Sequence, residues 1–173
     1  MAYYYLISSL PMLKSDGDMP LSYNAFLENC RDTLTEDKYK ILKELTLSSS
    51  EGAFLSKWAE FYGAIKDELT YQRNIRLGRK AVAPSIRDEA TAKVVTAAMN
   101  HKNPLLAEEM LLALEFEKLD ELVGTHYFDD WALMGYALKL KLLERKGSFD
   151  FEKGKSELNR LVENLEQEIE SIK

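Results

Sequence analysis

The chain has 173 residues, 46% of them hydrophobic, with 23 basic against 29 acidic side chains and a formal charge of -6. That length accommodates one domain with a sizeable core, or one domain with a helical extension, but not two full domains. The acidic balance excludes a nonspecific binder of nucleic acid or anionic membrane, so any basic contact must be local.

The longest stretch free of Asp, Glu, Lys and Arg is the first 13 residues, too short to span a bilayer and without the basic start of a signal peptide. A cytoplasmic protein with no direct membrane insertion is expected. One cysteine, Cys30, excludes an intramolecular disulfide and a cysteine-rich zinc site, in keeping with a reducing compartment.

Tyr3-Tyr4-Tyr5-Leu6-Ile7 is aromatic and partly β-branched and fits either a helix or an extended segment, although no second strand is there to pair with it. After Pro20, Ser22 is an N-cap for a helix carrying Tyr23, Phe26, Leu27 and Cys30 on one side. Thr35 followed by Glu36-Asp37 starts another with Tyr39, Leu42 and Leu45. The spacing of Phe54, Trp58, Phe61, Tyr62, Ile65 and Leu69 predicts a helix running to about Gly78. Ser85 or Asp88 caps the next, with Ala90, Val94, Val95 and Ala98.

Asn103-Pro104 is an N-cap followed by a first-turn proline. Leu105, Leu106, Met110, Leu111, Leu114, Leu119 and Leu122 spread wider than one stripe, which predicts a central helix contacted from two sides and ending near Gly124. Asp129 or Asp130 caps a helix from Trp131 to about Arg145. A last helix presents Leu158, Leu161, Val162, Leu165, Ile169 and Ile172 on one face, a stripe expected to be buried against the body or a partner. Gly124, Gly147 and Gly154 are expected at caps or turns, and Gly63 and Gly135, inside helices, at close helix contacts. The fold class is all-α: a compact multi-helix bundle with a long C-terminal helix, read as a single domain over 1–173, in which the pattern allows sub-units at 1–83 and 84–173.

Catalysis has little to work with. His101 and His126 sit in turns without the spacing that sets metal ligands on one helical face, so no metal and no cofactor are expected. The serines lack a histidine and strand-elbow glycines, no phosphate-cradling glycine pattern exists, and Cys30 reads as a small core residue. The acidic run Glu108, Glu109, Glu115, Glu117, Asp120 and Glu121 reads as a solvated helix face. No catalytic residue is assigned, and no enzyme is expected. The basic cluster is more informative. Arg73, Arg76 and Lys80 stand three and four residues apart, as on one side of a helix, joined by Arg79 and later Arg87. Salt bridging to the acidic helix within the fold is the simpler reading; the other is a partner-binding patch of Arg73, Arg76, Arg79 and Lys80, with Arg145.

The opening Tyr3 to Pro11, then Ser22-Tyr23-Asn24-Ala25-Phe26-Leu27 and the Leu34 to Leu45 helix, resembles a family of small bacterial proteins encoded among V-type ATPase subunits. Asn103-Pro104-Leu105-Leu106-Ala107-Glu108 through Tyr127-Phe128, the Tyr136 helix and Arg145 is similar to the funnel-like central-stalk subunit that caps the rotor ring of V/A-type ATPases. The resemblance implies a helical, noncatalytic subunit that couples the central shaft to the membrane rotor ring or assists assembly. Its partners would be shaft and ring subunits, and in the complex it would lie peripheral to the inner membrane. The chain is shorter than that three-part central-stalk subunit. The alternative is a stand-alone helical adaptor or homodimer that uses the C-terminal stripe.

Overall fold

The computed structural model describes residues 3–84, 87–148 and 151–171, and within the last helix the side chains of 154–165. Eight helices and no strand lie among the described residues: α1 Tyr4–Ser9, α2 Tyr23–Arg31, α3 Glu36–Lys43, α4 Ala53–Arg76, α5 Glu89–Asn100, α6 Pro104–Val123, α7 Asp130–Gly147 and α8 Phe151–Ser171. The all-α expectation holds. None of the described helices is long and apolar enough to cross a membrane.

The caps follow the chemistry of their residues. Ser22 Oγ accepts from the Ala25 N–H, Asp88 from Thr91, Asn103 from Leu105, and Asp129 from Trp131 and Ala132. Each satisfies a donor that the first helical turn leaves unpaired. Thr35 holds the N-cap position of α3 without a side-chain bond, so there the first-turn Glu36 and Asp37 meet the helix dipole instead. The opening aromatic segment resolves as helix: with no strand beside it, its backbone groups pair within α1, which buries Leu6 and stops before Pro11. α4 starts after Gly52 (φ +89°) and ends at Arg76, with Gly78 (φ +65°) turning the chain away. α6 likewise stops at Gly124 (φ +51°).

Two of the expected turn glycines lie in helices: Gly147 is the last residue of α7, with Ser148 as its C-cap, and Gly154 sits in the first turn of α8. A cap at Ser85 and the last stripe residue, Ile172, fall outside the described residues.

The main core gathers Tyr23, Phe26, Leu42, Phe54 and Trp58 from the first half of the chain with Leu112, Phe116, Leu119 and most of the apolar side chains of α7. It therefore draws on both sides of residue 83. A smaller cluster, Ile65, Val95, Ala98 and Leu111, joins α4, α5 and α6. α6 serves both clusters, Leu111 facing one and Leu112 the other, as a two-sided helix must. Gly135 is where α7 meets α6: a Cβ there would lie 2.5 Å from Val123 Cγ2. Gly63 meets nothing within 4 Å, so the close contact expected for it does not exist.

Long-range polar bonds fasten the ends to this core. Tyr136 Oη donates to the Pro11 carbonyl at 2.9 Å and Lys146 Nζ to the Ser15 carbonyl at 3.0 Å, which pins the loop after α1 onto α7. Lys38 Nζ donates to both Asp130 carboxylate oxygens at 2.7 and 2.8 Å and to Tyr3 Oη at 3.0 Å. These bonds to Asp130 and Tyr3 push the Lys38 ammonium up to about 12.

Candidate functional site

α6 carries the acidic run, and the structure divides it. Glu108, Glu117, Asp120 and Glu121 are half-buried or exposed, but Glu115 is 2% exposed and lies inside the bundle. The expectation of a uniformly solvated acidic face fails at that position. Glu115 falls one turn from Leu111, Leu112 and Leu119, on the packed side of a helix that is covered from two directions. What makes its burial tolerable is Arg145, from the last turn of α7. Its Nη1 donates to Glu115 Oε1 at 3.0 Å and its Nη2 to Oε2 at 2.6 Å, a forked pair, while Nη1 also reaches Tyr62 Oη at 3.4 Å. Burial pushes the Glu115 carboxyl above the ordinary carboxylate range; the bonds and charge of Arg145 oppose that rise. Arg145 is thus a member of the internal framework, apart from Arg73 and Arg76 on α4: its guanidinium is spent on Glu115, with Glu108 4.0 Å away.

A second carboxylate, Glu68 on α4, is equally buried, and the sequence reading passed over it. Arg87 Nε and Nη2 donate to its two oxygens at 3.0 and 2.8 Å, and Gln72 Nε2 adds a bond of 2.8 Å. Burial alone would raise the Glu68 carboxyl, but the bonds from Arg87 and Gln72 outweigh it and hold it below its usual range. The Arg87 guanidinium also lies 5.5 Å from the Tyr71 ring centroid. Arg87 accordingly leaves the basic cluster and ties the chain before α5 to the side of α4. The i,i+4 spacing of Glu68 and Gln72 was the one available signal, and it does not by itself distinguish a buried carboxylate from an exposed one.

The rest of the cluster is also rearranged. Arg73 and Arg76 are on the last turns of α4, but Arg79 and Lys80 lie beyond its end, past Gly78, so the three-and-four spacing from Arg76 to Lys80 is not a helix face. Among the described residues, none of Arg73, Arg76, Arg79 and Lys80 has a carboxylate within ion-pair distance. Internal salt bridging to the acidic helix, the simpler sequence reading, is therefore not what these four residues do; Arg145 takes that role, while Arg87 pairs with Glu68 on α4. Arg76 Nη1 donates to the Met99 carbonyl at 3.2 Å, which anchors one edge of its guanidinium beside the end of α5.

Arg73 and Arg76 border a groove of about 580 Å³ where α4, α5 and α6 meet, floored by Leu69, Ala98, Met99 and Leu111. Leu105, 51% exposed, forms part of its rim, and His101 and Glu108 add polar groups. The groove is apolar at its base with two exposed guanidinium groups at one edge. No group of three or more His, Cys, Asp or Glu able to hold a metal occurs among the described residues. His126 donates its Nδ1–H to Asp129 Oδ2, stacks on Trp131 at 4.6 Å between ring centroids, and thereby supports the α7 cap. Burial would raise the Asp129 carboxyl, but His126 and the two backbone N–H groups hold it down.

These features define the class: an all-helical protein whose buried charges are paired and whose unpaired cations flank an apolar groove, with no assembled catalytic constellation among the described residues. Over residues 92–169, from the start of α5 to near the end of α8, the chain is similar to a family described as a protein of unknown function, DUF2764. That stretch takes in Glu115, Arg145 and the α5 and α6 walls of the groove, but not Arg73 or Arg76. No curated protein and no solved structure matches the chain.

Proposed function

We propose that this protein is a noncatalytic coupling or assembly subunit of a V/A-type ATPase, similar in role to the central-stalk subunit that caps the rotor ring, and that it meets a shaft or ring subunit through the groove between α4, α5 and α6. The ATPase part of this reading rests on the resemblance of the Tyr3 to Pro11, Ser22 to Leu27 and Asn103 to Arg145 segments. The observation that carries the docking part is the pair Arg73 and Arg76: two exposed guanidinium groups at the edge of an apolar groove, with no carboxylate of their own among the described residues. A partner segment that offers carboxylates beside apolar side chains complements both features at once.

The test is charge reversal, Arg73→Glu with Arg76→Glu. Exposed charges contribute only about 0–1 kcal/mol to folding, so the variant should melt close to the parent. Pull-down against purified shaft and ring subunits at low and high salt should show a contact that fades with ionic strength in the parent and is lost in the variant. Undiminished binding by the folded variant would remove the groove from the reading. Failure of the parent to bind any ATPase subunit would overturn the ATPase assignment itself.

A further inference from the structure

α8 is the one long helix whose described apolar stripe is left in water. Leu158, Leu161, Val162 and Leu165 are 60, 53, 45 and 57% exposed, and every described side chain from 154 to 165 is exposed. The body that fully encloses Phe26, Trp58 and Leu138 covers none of this stripe. The order of residues along it is specific. Over the 21 residues of α8 the sequence reads as heptads with Phe151, Leu158 and Leu165 at d and Lys155, Val162 and Ile169 at a. The b, c and f positions are Ser156, Glu163 and Glu170, then Glu157, Asn164 and Ser171, then Lys153, Arg160 and Gln167: not one is apolar. Leu161, at g, is the one apolar residue of the helix outside a and d, so the seam is still narrower than the apolar surface of α6 and α7.

We infer that α8 pairs with α8 of a second copy of this chain in a parallel, two-stranded coiled coil, so that the protein is a homodimer whose helical bodies stand at the same end of the pair. β-branched residues at a with leucine at d are the combination that selects two parallel strands. The single cation at an a position, Lys155, sets the register and disfavours larger bundles, since a lysine can reach water from a two-stranded seam. The inference stands apart from the ATPase reading and from the groove, because it uses no residue of either.

The chain offers a clean assay. Its one cysteine, Cys30, is fully buried, so a single cysteine introduced into α8 reports alone. Leu158→Cys and Leu165→Cys, each at d, should each form a disulfide-linked dimer with itself under mild oxidation. Val162→Glu should convert a particle of twice 19.9 kDa into one of 19.9 kDa by light scattering, with the helical signal of the body retained. Arg160→Glu, at f, should leave the mass unchanged. A parent that is monomeric at every accessible concentration would overturn the proposal. So would a Val162→Glu particle of undiminished mass, or cross-links that form only when Leu158→Cys, at d, is mixed with a chain carrying Val162→Cys, at a, which is the antiparallel result.

Discussion

Replacing Arg145 by methionine removes a guanidinium from a carboxylate that has no other cation among the described residues. Glu115 would keep its place under Leu112 and Leu119, 2% exposed, with its two bonds of 3.0 and 2.6 Å gone. Breaking a buried pair on one side costs about 3–5 kcal/mol, and the lower figure suits this site because Arg145 is only partly buried. For a chain of this size 1 kcal/mol moves Tm by roughly 2–4 °C, so a loss of about 3 kcal/mol lowers it by about 6–12 °C near neutral pH. The deficit should shrink on acidification. Already raised by burial, the orphaned carboxyl rises further once its cation is gone, and a group whose folded pKa lies above the unfolded value of about 4.3 stabilises fully below that value and loses its contribution as pH climbs. Circular-dichroism melts of parent, Arg145→Met and Arg145→Met with Glu115→Leu, at about pH 7 and about pH 5, separate the contributions. The double variant should recover most of the loss, because a packed apolar pair avoids desolvating two charges. Equal destabilisation of single and double variants, or a deficit that does not change with pH, would refute this account of the pair.

Gly135→Ala forces a methyl against Val123 and should cost about 1–3 kcal/mol, whereas Gly63→Ala, in open space, should gain about 0.5–1 kcal/mol; urea titration of both checks the contrast. Bonds from Thr91 hold the Asp88 carboxyl below its usual range, and Asp129 and Glu68 are lowered too, so each adds stability above its unfolded pKa, about 3.9 for Asp and 4.3 for Glu, and loses it as pH falls through the folded one. Melting temperature should therefore drop below about pH 4, and less steeply in Asp88→Asn; an identical acid limb in that variant would contradict the assignment. Burial pushes the Cys30 thiol up to about 12, so a thiol reagent near neutral pH should label it only on unfolding, and prompt labelling of the native protein would show that α2 opens locally.

The helices were largely legible because their ends are written locally: Ser22, Asp88, Asn103 and Asp129 each cap the helix their position announces. The doubled stripe of α6 was legible for the same reason, as periodicity records how many sides are covered. Local signals gave out where only tertiary packing decides. Glu115 and Glu109 look alike in the sequence, yet one is buried against Arg145 and the other faces water, and nothing within a turn of either residue distinguishes them. Arg73, Arg76, Arg87 and Arg145 formed one apparent basic set until the fold paired two of them with buried carboxylates. Gly63 and Gly135 share a helical context and differ only in whether another helix passes close by.

The core brings α2, α3 and α4 together with α7, and α7 also holds the loop after α1 through Tyr136 and Lys146. During synthesis, which proceeds from the N-terminus, the first helices emerge long before the helix that covers them. Phe26, Leu42 and Trp58 must wait, uncovered, until residues 130–147 have left the ribosome, a condition that invites chaperone capture and penalises any pause in translation between α4 and α7.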